Sequence, residues 1–402
     1  MTATPGTDFV HLKLGLLMFG KFFTQKMEEV MGGSGRYFVT LFFMVSLTVS
    51  IFSTPATACT GLVLKGEDGT VVYGRTQEWS AFDFKTQVVV YPQYKTFQAV
   101  TPDGANGVSW EAKHGFLGFL LLDRVIGDGM NEKGLAAGSY YHHGFAEYAD
   151  YDPSLAQQSM APTDVVSFIL SNFSTIEEVR QGMQGIRVVP VKDPDIHMVA
   201  PVHFFVADPS GKSLVIEFQG GKMQVYDNPV GVMTNNPYFD WHLQNLRNYG
   251  YLGEGPFEAR TWGEMEITPL SGGSDLLGLP GDYTSPSRFV RATVLKAVSF
   301  PTKGGLDTVE QFFQIMDSFN APLGKGEGNM DTGNKAQRLP SGTQWTVASD
   351  TSSLVTYYHT AWNRQIRKID LKDIDFTKSK VRKIPLDEKQ AQNIKDVTQG
   401  LR

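Results

Sequence analysis

The chain has 402 residues with 36 basic and 42 acidic side chains, a formal net charge of −6 and one cysteine. That length suffices for a domain whose core needs no covalent staple. The mild negative balance argues against a basic field for nucleic acid or anionic lipid, and a lone cysteine excludes an intramolecular disulfide.

In chain order, the first feature is GRYFVTLFFMVSLTVSIF (Gly35–Phe52), where Arg36 precedes sixteen uncharged, mostly apolar positions. This has the n-region and h-region of a secretory signal, and it falls short of the roughly 20 residues of a membrane span. Ala56 and Ala58 form an A-x-A cleavage site, so residues 1–58 are expected to be a signal peptide and the product to be exported, periplasmic or secreted. A start at Met31 gives the signal an ordinary length. The removed segment holds four basic (Lys13, Lys21, Lys26, Arg36) and three acidic residues (Asp8, Glu28, Glu29), so the remaining 344 carry 32 and 39 and a net charge of −7. Residues 59–402 are expected to form a single domain.

Cleavage after Ala58 makes Cys59 residue one. Lipidation, pairing between chains, an inert buried thiol and a nucleophile are the alternatives. Lipoprotein signals favour Leu three residues before the cysteine, where this chain has Ala56. A free N-terminal cysteine instead unites a nucleophile with its own base: an α-amine titrates near ~8 and can take the thiol proton as sulfur attacks a carbonyl.

Downstream, TGLVL (Thr60–Leu64) and TVVYGR (Thr70–Arg75) flank the turn signal KGEDG and predict a hairpin. TQVVVYP and GFLGFLLLD supply further strands. TDVVSFILSNF predicts a helix capped by Thr163, and STIEEVRQGM a second with Ser174 and Glu177 in capping-box spacing. Val202–Asp227 predicts three antiparallel strands joined by Pro-Ser-Gly-Lys and Gly-Gly-Lys turns. Helices are expected around Phe239–Tyr249, Pro286–Val298 and Thr308–Phe319, and a last hairpin turns at Asp350. Antiparallel strands with paired helices predict an α+β layered domain.

CTGLVL, YGRTQEW, MNEKGLAAG, VMTNNPYFDWHLQNLRNY and LPGDYTSPSRFVRA occur in this order across nearly all of residues 59–402. Together they resemble the choloylglycine hydrolase family, amidases of the N-terminal nucleophile type that include penicillin V acylases and conjugated bile salt hydrolases. The resemblance implies a four-layer αββα sandwich of two antiparallel sheets between helical layers.

The same resemblance assigns roles. Cys59 is the nucleophile and its α-amine the base. Arg75 lies beside the thiol, where a guanidinium favours the thiolate and holds the substrate's carbonyl region. Glu78 falls where the family usually has an aspartate that binds the terminal amine, a departure of one methylene. Asn235 is an oxyanion donor, Arg288 a second active-site arginine, and the backbone N–H of Tyr141 completes the oxyanion hole. Arg291 is expected to be structural. Trp79, Tyr140 and Tyr141 are expected to line an apolar acyl pocket, with ordinary core packing as the alternative.

No zinc-type histidine spacing, calcium loop or phosphate loop appears, and His142 and His143 in a strand face opposite sides. No metal or cofactor is therefore expected. A tyrosine at 141, where bile salt hydrolases often have asparagine, favours a penicillin V acylase-like or acyl-homoserine lactone acylase-like activity, with conjugated bile salt hydrolysis as the alternative. An alternative of another class is a lipid-anchored binding protein modified at Cys59. The 52 residues between Asn235 and Arg288 leave room for a projecting segment, through which some family members form tetramers, so a homotetramer is expected.

Overall fold

In the computed structural model, which describes residues 59–79, 83–253, 255–321, 342–378 and 380–401, Cys59 leads directly into β1 (Thr60–Lys65). The expected signal stretch, Met31 and the Ala56–Ala58 cleavage site lie outside the described residues. The KGEDG turn returns the chain into β2 (Val71–Trp79), which pairs antiparallel with β1 from Thr60 opposite Thr76 to Lys65 opposite Val71.

The remaining strands of the two large sheets are β3 (Gln87–Tyr91), β4 (Phe116–Leu121), β5 (Val125–Asn131), β6 (Ala136–Tyr141), β7 (Val202–Ala207), β8 (Ser213–Gln219) and β9 (Lys222–Asp227). After them come β10 (Val232–Met233), β11 (Gly342–Asp350), β12 (Val355–Thr360), β13 (Arg367–Asp370) and β14 (Arg382–Pro385). One sheet has the order β10-β1-β2-β11-β12-β13, the other β9-β8-β7-β6-β5-β4-β3-β14. Every pairing in both is antiparallel.

The two sheets pack face to face. Tyr73 of β2 meets Phe205 of β7 with ring centroids 5.4 Å apart, and Trp345 of β11 stacks on Phe119 of β4 at 4.9 Å. Burying each such side chain contributes about 1.5–3 kcal/mol, so this interior is the main stabiliser of the fold.

Helices cover the outer faces. On the larger sheet, α1 (Val165–Asn172) and α2 (Ile176–Gly182) bury Val166, Ile169, Leu170 and Val179 in one cluster with Ile126, Ala137 and Phe204. The smaller sheet is covered by α4 (Ser285–Val298) and α5 (Leu306–Asp317), which follow α3 (Phe239–Leu246) in the chain. A Cβ at Gly74 would lie 2.6 Å from the Phe312 ring, so glycine there lets α5 settle onto β2. The result is an αββα sandwich. No helix among the described residues is long and apolar enough to cross a membrane.

Two sequence expectations shift. Thr163 lies in a short 3₁₀ turn, and α1 begins after Asp164 without a side-chain cap. The capping box of α2 sits one residue later than predicted: Thr175 Oγ1 accepts the Glu178 N–H at 3.2 Å, and Glu178 accepts the Ser174 N–H at 2.6 Å. Ile176 is buried, and that register turns its side chain inward.

Candidate active site

All nine residues of β2 are buried, including Arg75, Thr76, Gln77 and Glu78. A central strand with four polar side chains must supply each with partners. The register of β1 against β2 sets Cys59 at the level of Gln77, beside Glu78, and the Thr60 N–H donates to Thr76 Oγ1 at 3.2 Å.

Arg75 points between the sheets. Its Nε donates to the Thr76 carbonyl at 3.1 Å, one Nη donates to the Ser139 carbonyl, and the guanidinium lies 4.0 Å over the Tyr140 ring. Burial opposes its charge, but the neighbouring Cys59, Tyr140 and Asp128 more than offset this and hold its pKa above the ordinary arginine value.

Glu78 is fully buried. Its Oε1 accepts from the Thr343 hydroxyl at 2.7 Å, while Oε2 has no hydrogen-bond partner among the described residues. Burial pushes the carboxyl up to about 7, against the opposing effects of Thr343 and Arg288. Thr343 is a partner that sequence reasoning missed, since it arrives on β11, 265 positions away.

Arg288, in the first turns of α4, ties the site together. It donates from Nη1 to the Cys59 carbonyl and to Thr60 Oγ1 at 2.8 Å, and from Nη2 to Asn235 Oδ1 at 2.7 Å. Burial lowers its pKa to about 10, with Glu78 and Cys59 acting the other way. Asn235 follows β10. Its Nδ2 donates one hydrogen to the Tyr141 carbonyl at 2.8 Å, which leaves the second amide hydrogen for another acceptor.

Tyr141 ends β6. The His142 N–H donates to the Pro201 carbonyl at 2.7 Å, so alternation along the ladder turns the N–H and C=O of Tyr141 away from β7. Its carbonyl meets Asn235 on that side. Its ring meets Trp79 edge-on with centroids 5.4 Å apart, and burial pushes its phenol up to about 12. Cys59, Glu78, Trp79 and Tyr141 line one pocket together with Phe84, Leu121, Leu122 and Ile126.

Tyr140 departs from the expectation that it lines this pocket. One position earlier in the strand, it faces between the sheets, under the Arg75 guanidinium and against Gly61, where a Cβ would lie 2.1 Å from its Oη. Arg291 donates to the Pro280 and Asp282 carbonyls at 2.6 and 3.0 Å, a purely internal role.

The histidines are less scattered in space than in sequence. His142, His203 and Glu217 are buried, and their potential ligand atoms lie within 4.8 Å of one another. The two rings stack at 3.9 Å with planes 13° apart, so their in-plane lone pairs run side by side and do not converge on one ion. Sequence spacing gave no hint of this cluster. The available signal was Glu217 itself, an acid inside the apolar run SLVIEF of a strand with six buried residues.

A four-layer antiparallel sandwich, with a thiol between two buried arginines and an asparagine just past the edge strand β10, defines a hydrolase of the N-terminal nucleophile class. The chain belongs to the choloylglycine hydrolase family of linear amide C–N hydrolases, whose model matches residues 59–386. It is 31% identical over 317 residues to the bile salt hydrolase/transferase of Clostridium perfringens, covering 78% of this chain and 92% of that protein. It is 26% identical over 355 residues to the penicillin V acylase of Pectobacterium atrosepticum, covering 83% and 85%. The crystal structure of a mutant conjugated bile acid hydrolase from Clostridium perfringens superposes with a TM-score of 0.72 at 28% identity, covering 84% of this chain and 99% of that one. Penicillin V acylase from Agrobacterium tumefaciens shares the fold, with a TM-score of 0.65 at 24% identity over 81% and 91%.

Proposed function

We propose that this chain hydrolyses amides between a bulky apolar acid and a small polar amine, with Cys59 as nucleophile, and that conjugated bile salts are its substrates. The observation that carries the reaction is the meeting of Cys59, Glu78 and Tyr141 in one apolar pocket, with Asn235 bonded to the Tyr141 carbonyl and joined through Arg288 to the Cys59 carbonyl. Release of Cys59 from Ala58 creates an α-amine next to Glu78, whose buried carboxyl can bind it. The amine takes the thiol proton as sulfur attacks the substrate carbonyl. The oxyanion receives the free Asn235 Nδ2–H and the Tyr141 N–H, a preorganised pair of donors. The departing amine takes the proton from the α-ammonium as the C–N bond breaks. Water then attacks the thioester, giving the free acid and restoring the thiol.

Similarity at 31% identity to a bile salt hydrolase/transferase, against 26% to a penicillin V acylase, supports bile salts over the ranking read from Tyr141. The edge-on contact of Trp79 and Tyr141 favours a second reading, penicillin V or acyl-homoserine lactones, because two crossed rings narrow the pocket toward a flat acyl group. A kinetic panel of glycocholate, taurocholate, penicillin V and a long-chain acyl-homoserine lactone decides between them. The larger kcat/KM is expected for a bile salt, and a higher value for penicillin V or the lactone would select the second reading. Export follows from the same reading, since cleavage after Ala58 is what frees the amine. The hairpin Arg260–Trp262 and Met265–Ile267, with exposed Trp262, Met265, Leu270 and Leu277 nearby, supports assembly into a homotetramer.

A further inference from the structure

The loop Thr234–Phe239, which carries Asn235, is held through its carbonyl oxygens by three histidines from three different elements. His203 of β7 places Nε2 3.1 Å from the Thr234 carbonyl, and His242 of α3 places Nε2 3.0 Å from that of Asn235. His142, just past β6, places Nε2 3.3 Å from the Pro237 carbonyl. A carbonyl oxygen only accepts, so all three rings must carry the proton on Nε2. All three are buried, and burial lowers their pKa values to about 2 for His142, 3 for His203 and 4 for His242. Neutral rings with this tautomer leave Nδ1 as an acceptor.

For His203 that acceptor lies 2.9 Å from Glu217 Oε1. Two acceptors cannot share a hydrogen bond, so one proton lies between His203 Nδ1 and Glu217 Oε1, and burial, which disfavours charge on both groups, favours the neutral pair. Glu217 also accepts the Phe239 N–H, at 3.0 and 3.1 Å, and so grips the far end of the same loop. The pair is assembled by the sheet. Phe204 stands opposite Ile216 in the β7–β8 ladder, which brings His203 and Glu217 directly across from each other.

We propose that His203, oriented by its hydrogen bond with Glu217, and His242 are positioning residues that fix Asn235 at the oxyanion through its own loop carbonyls. The inference rests on the reading of Asn235 as the oxyanion donor. Neither histidine acts on substrate. Each removes a degree of freedom from a donor whose value depends on meeting charge that develops only in the transition state, so the effect belongs in kcat and not in KM.

The two ring nitrogens provide the test. A glutamine amide reaches where Nε2 donates, whereas an asparagine amide reaches only to Nδ1. His203→Asn and His242→Asn are each expected to lower kcat by about 10- to 100-fold with KM nearly unchanged, since a displacement of about 1 Å at a catalytic group costs about 100-fold. His203→Gln and His242→Gln recover most of that loss. The probe is whichever of glycocholate, taurocholate and penicillin V the parent enzyme turns over fastest. The Asn235→Ala chain separates the two layers: in that background, His203→Asn should cost nothing further, because the donor it positions is gone. Equal kcat for the Asn and Gln variants, a loss confined to KM, or full additivity with Asn235→Ala would overturn the inference. Full activity of Asn235→Ala alone would instead overturn the oxyanion assignment. Alkylation of the Cys59 thiol at the parent rate, with an unchanged melting temperature, shows that each variant is folded, and His242 supplies an independent pair if His203 variants do not fold.

Discussion

Glu78 offers a quantitative test of the site in the chain that still carries Ala58. There its carboxyl is fully buried and pushed up to about 7, against 4.5 for an ordinary glutamate. A folded value above the unfolded one means that the fold holds the proton more tightly. The corresponding stability is fully present below 4.5 and is lost as pH rises through 7. The difference amounts to about 3 kcal/mol, a sizeable part of a typical domain's stability. The perturbation is Glu78→Gln, which keeps a hydrogen-bonding acceptor for Thr343 and cannot ionise. Urea unfolding of both chains between about pH 4 and pH 8 should show the parent losing roughly 3 kcal/mol relative to the variant. In a chain beginning at Cys59, the α-ammonium beside the carboxylate should shrink that loss, because an opposite charge nearby favours the ionised form. The same substitution should there lower kcat/KM and move the acid limb of the pH–rate profile. Parallel stability profiles for parent and Glu78→Gln in the longer chain would refute the assignment of a buried, ionisable carboxyl awaiting its cation.

Retention of Ala58 should itself lower kcat/KM by about 100- to 10,000-fold relative to a chain beginning at Cys59, since an amide nitrogen cannot act as base; comparable rates would remove the amine from the mechanism. On the proposed export and cleavage, the intact mass of the mature product should match an unmodified N-terminal cysteine, and added acyl mass would favour the lipid-anchored alternative. Asn235→Ala should cost about 100- to 1,000-fold in kcat with little change in KM, measured by steady-state kinetics. Gly61→Ala places a Cβ 2.1 Å from Tyr140 Oη and should destabilise the fold by about 1–3 kcal/mol. Tyr140→Phe in the same chain should recover part of that loss in thermal unfolding, and an unchanged melting temperature for Gly61→Ala alone would refute the packing.

Local chemistry made the hairpins and helices legible. KGEDG, Pro-Ser-Gly-Lys and Gly-Gly-Lys each close a turn between strands that the structure contains. The strands β5 and β6 are less legible as a pair, because Gly127, Gly129 and Gly138 interrupt their apolar pattern. Strand alternation, applied to Tyr140 and Tyr141, separates a residue under Arg75 from a residue in the pocket, a distinction that composition does not carry. Motif order brought Cys59, Arg75, Glu78, Asn235 and Arg288 forward as candidates. It said nothing of Thr343, or of His203 and Glu217, because those contacts exist only once distant strands pair.

Arg288 reaches back 229 positions to the Cys59 carbonyl and 53 to Asn235. These are contacts of high sequence separation, closed late in any folding process that starts from local structure. A chain emerging from synthesis therefore carries its thiol long before it carries the helix that organises it. On the proposed reading of Cys59 as nucleophile, the return of amidase activity on refolding should mark completion of the whole sandwich, not of the strand that bears the sulfur.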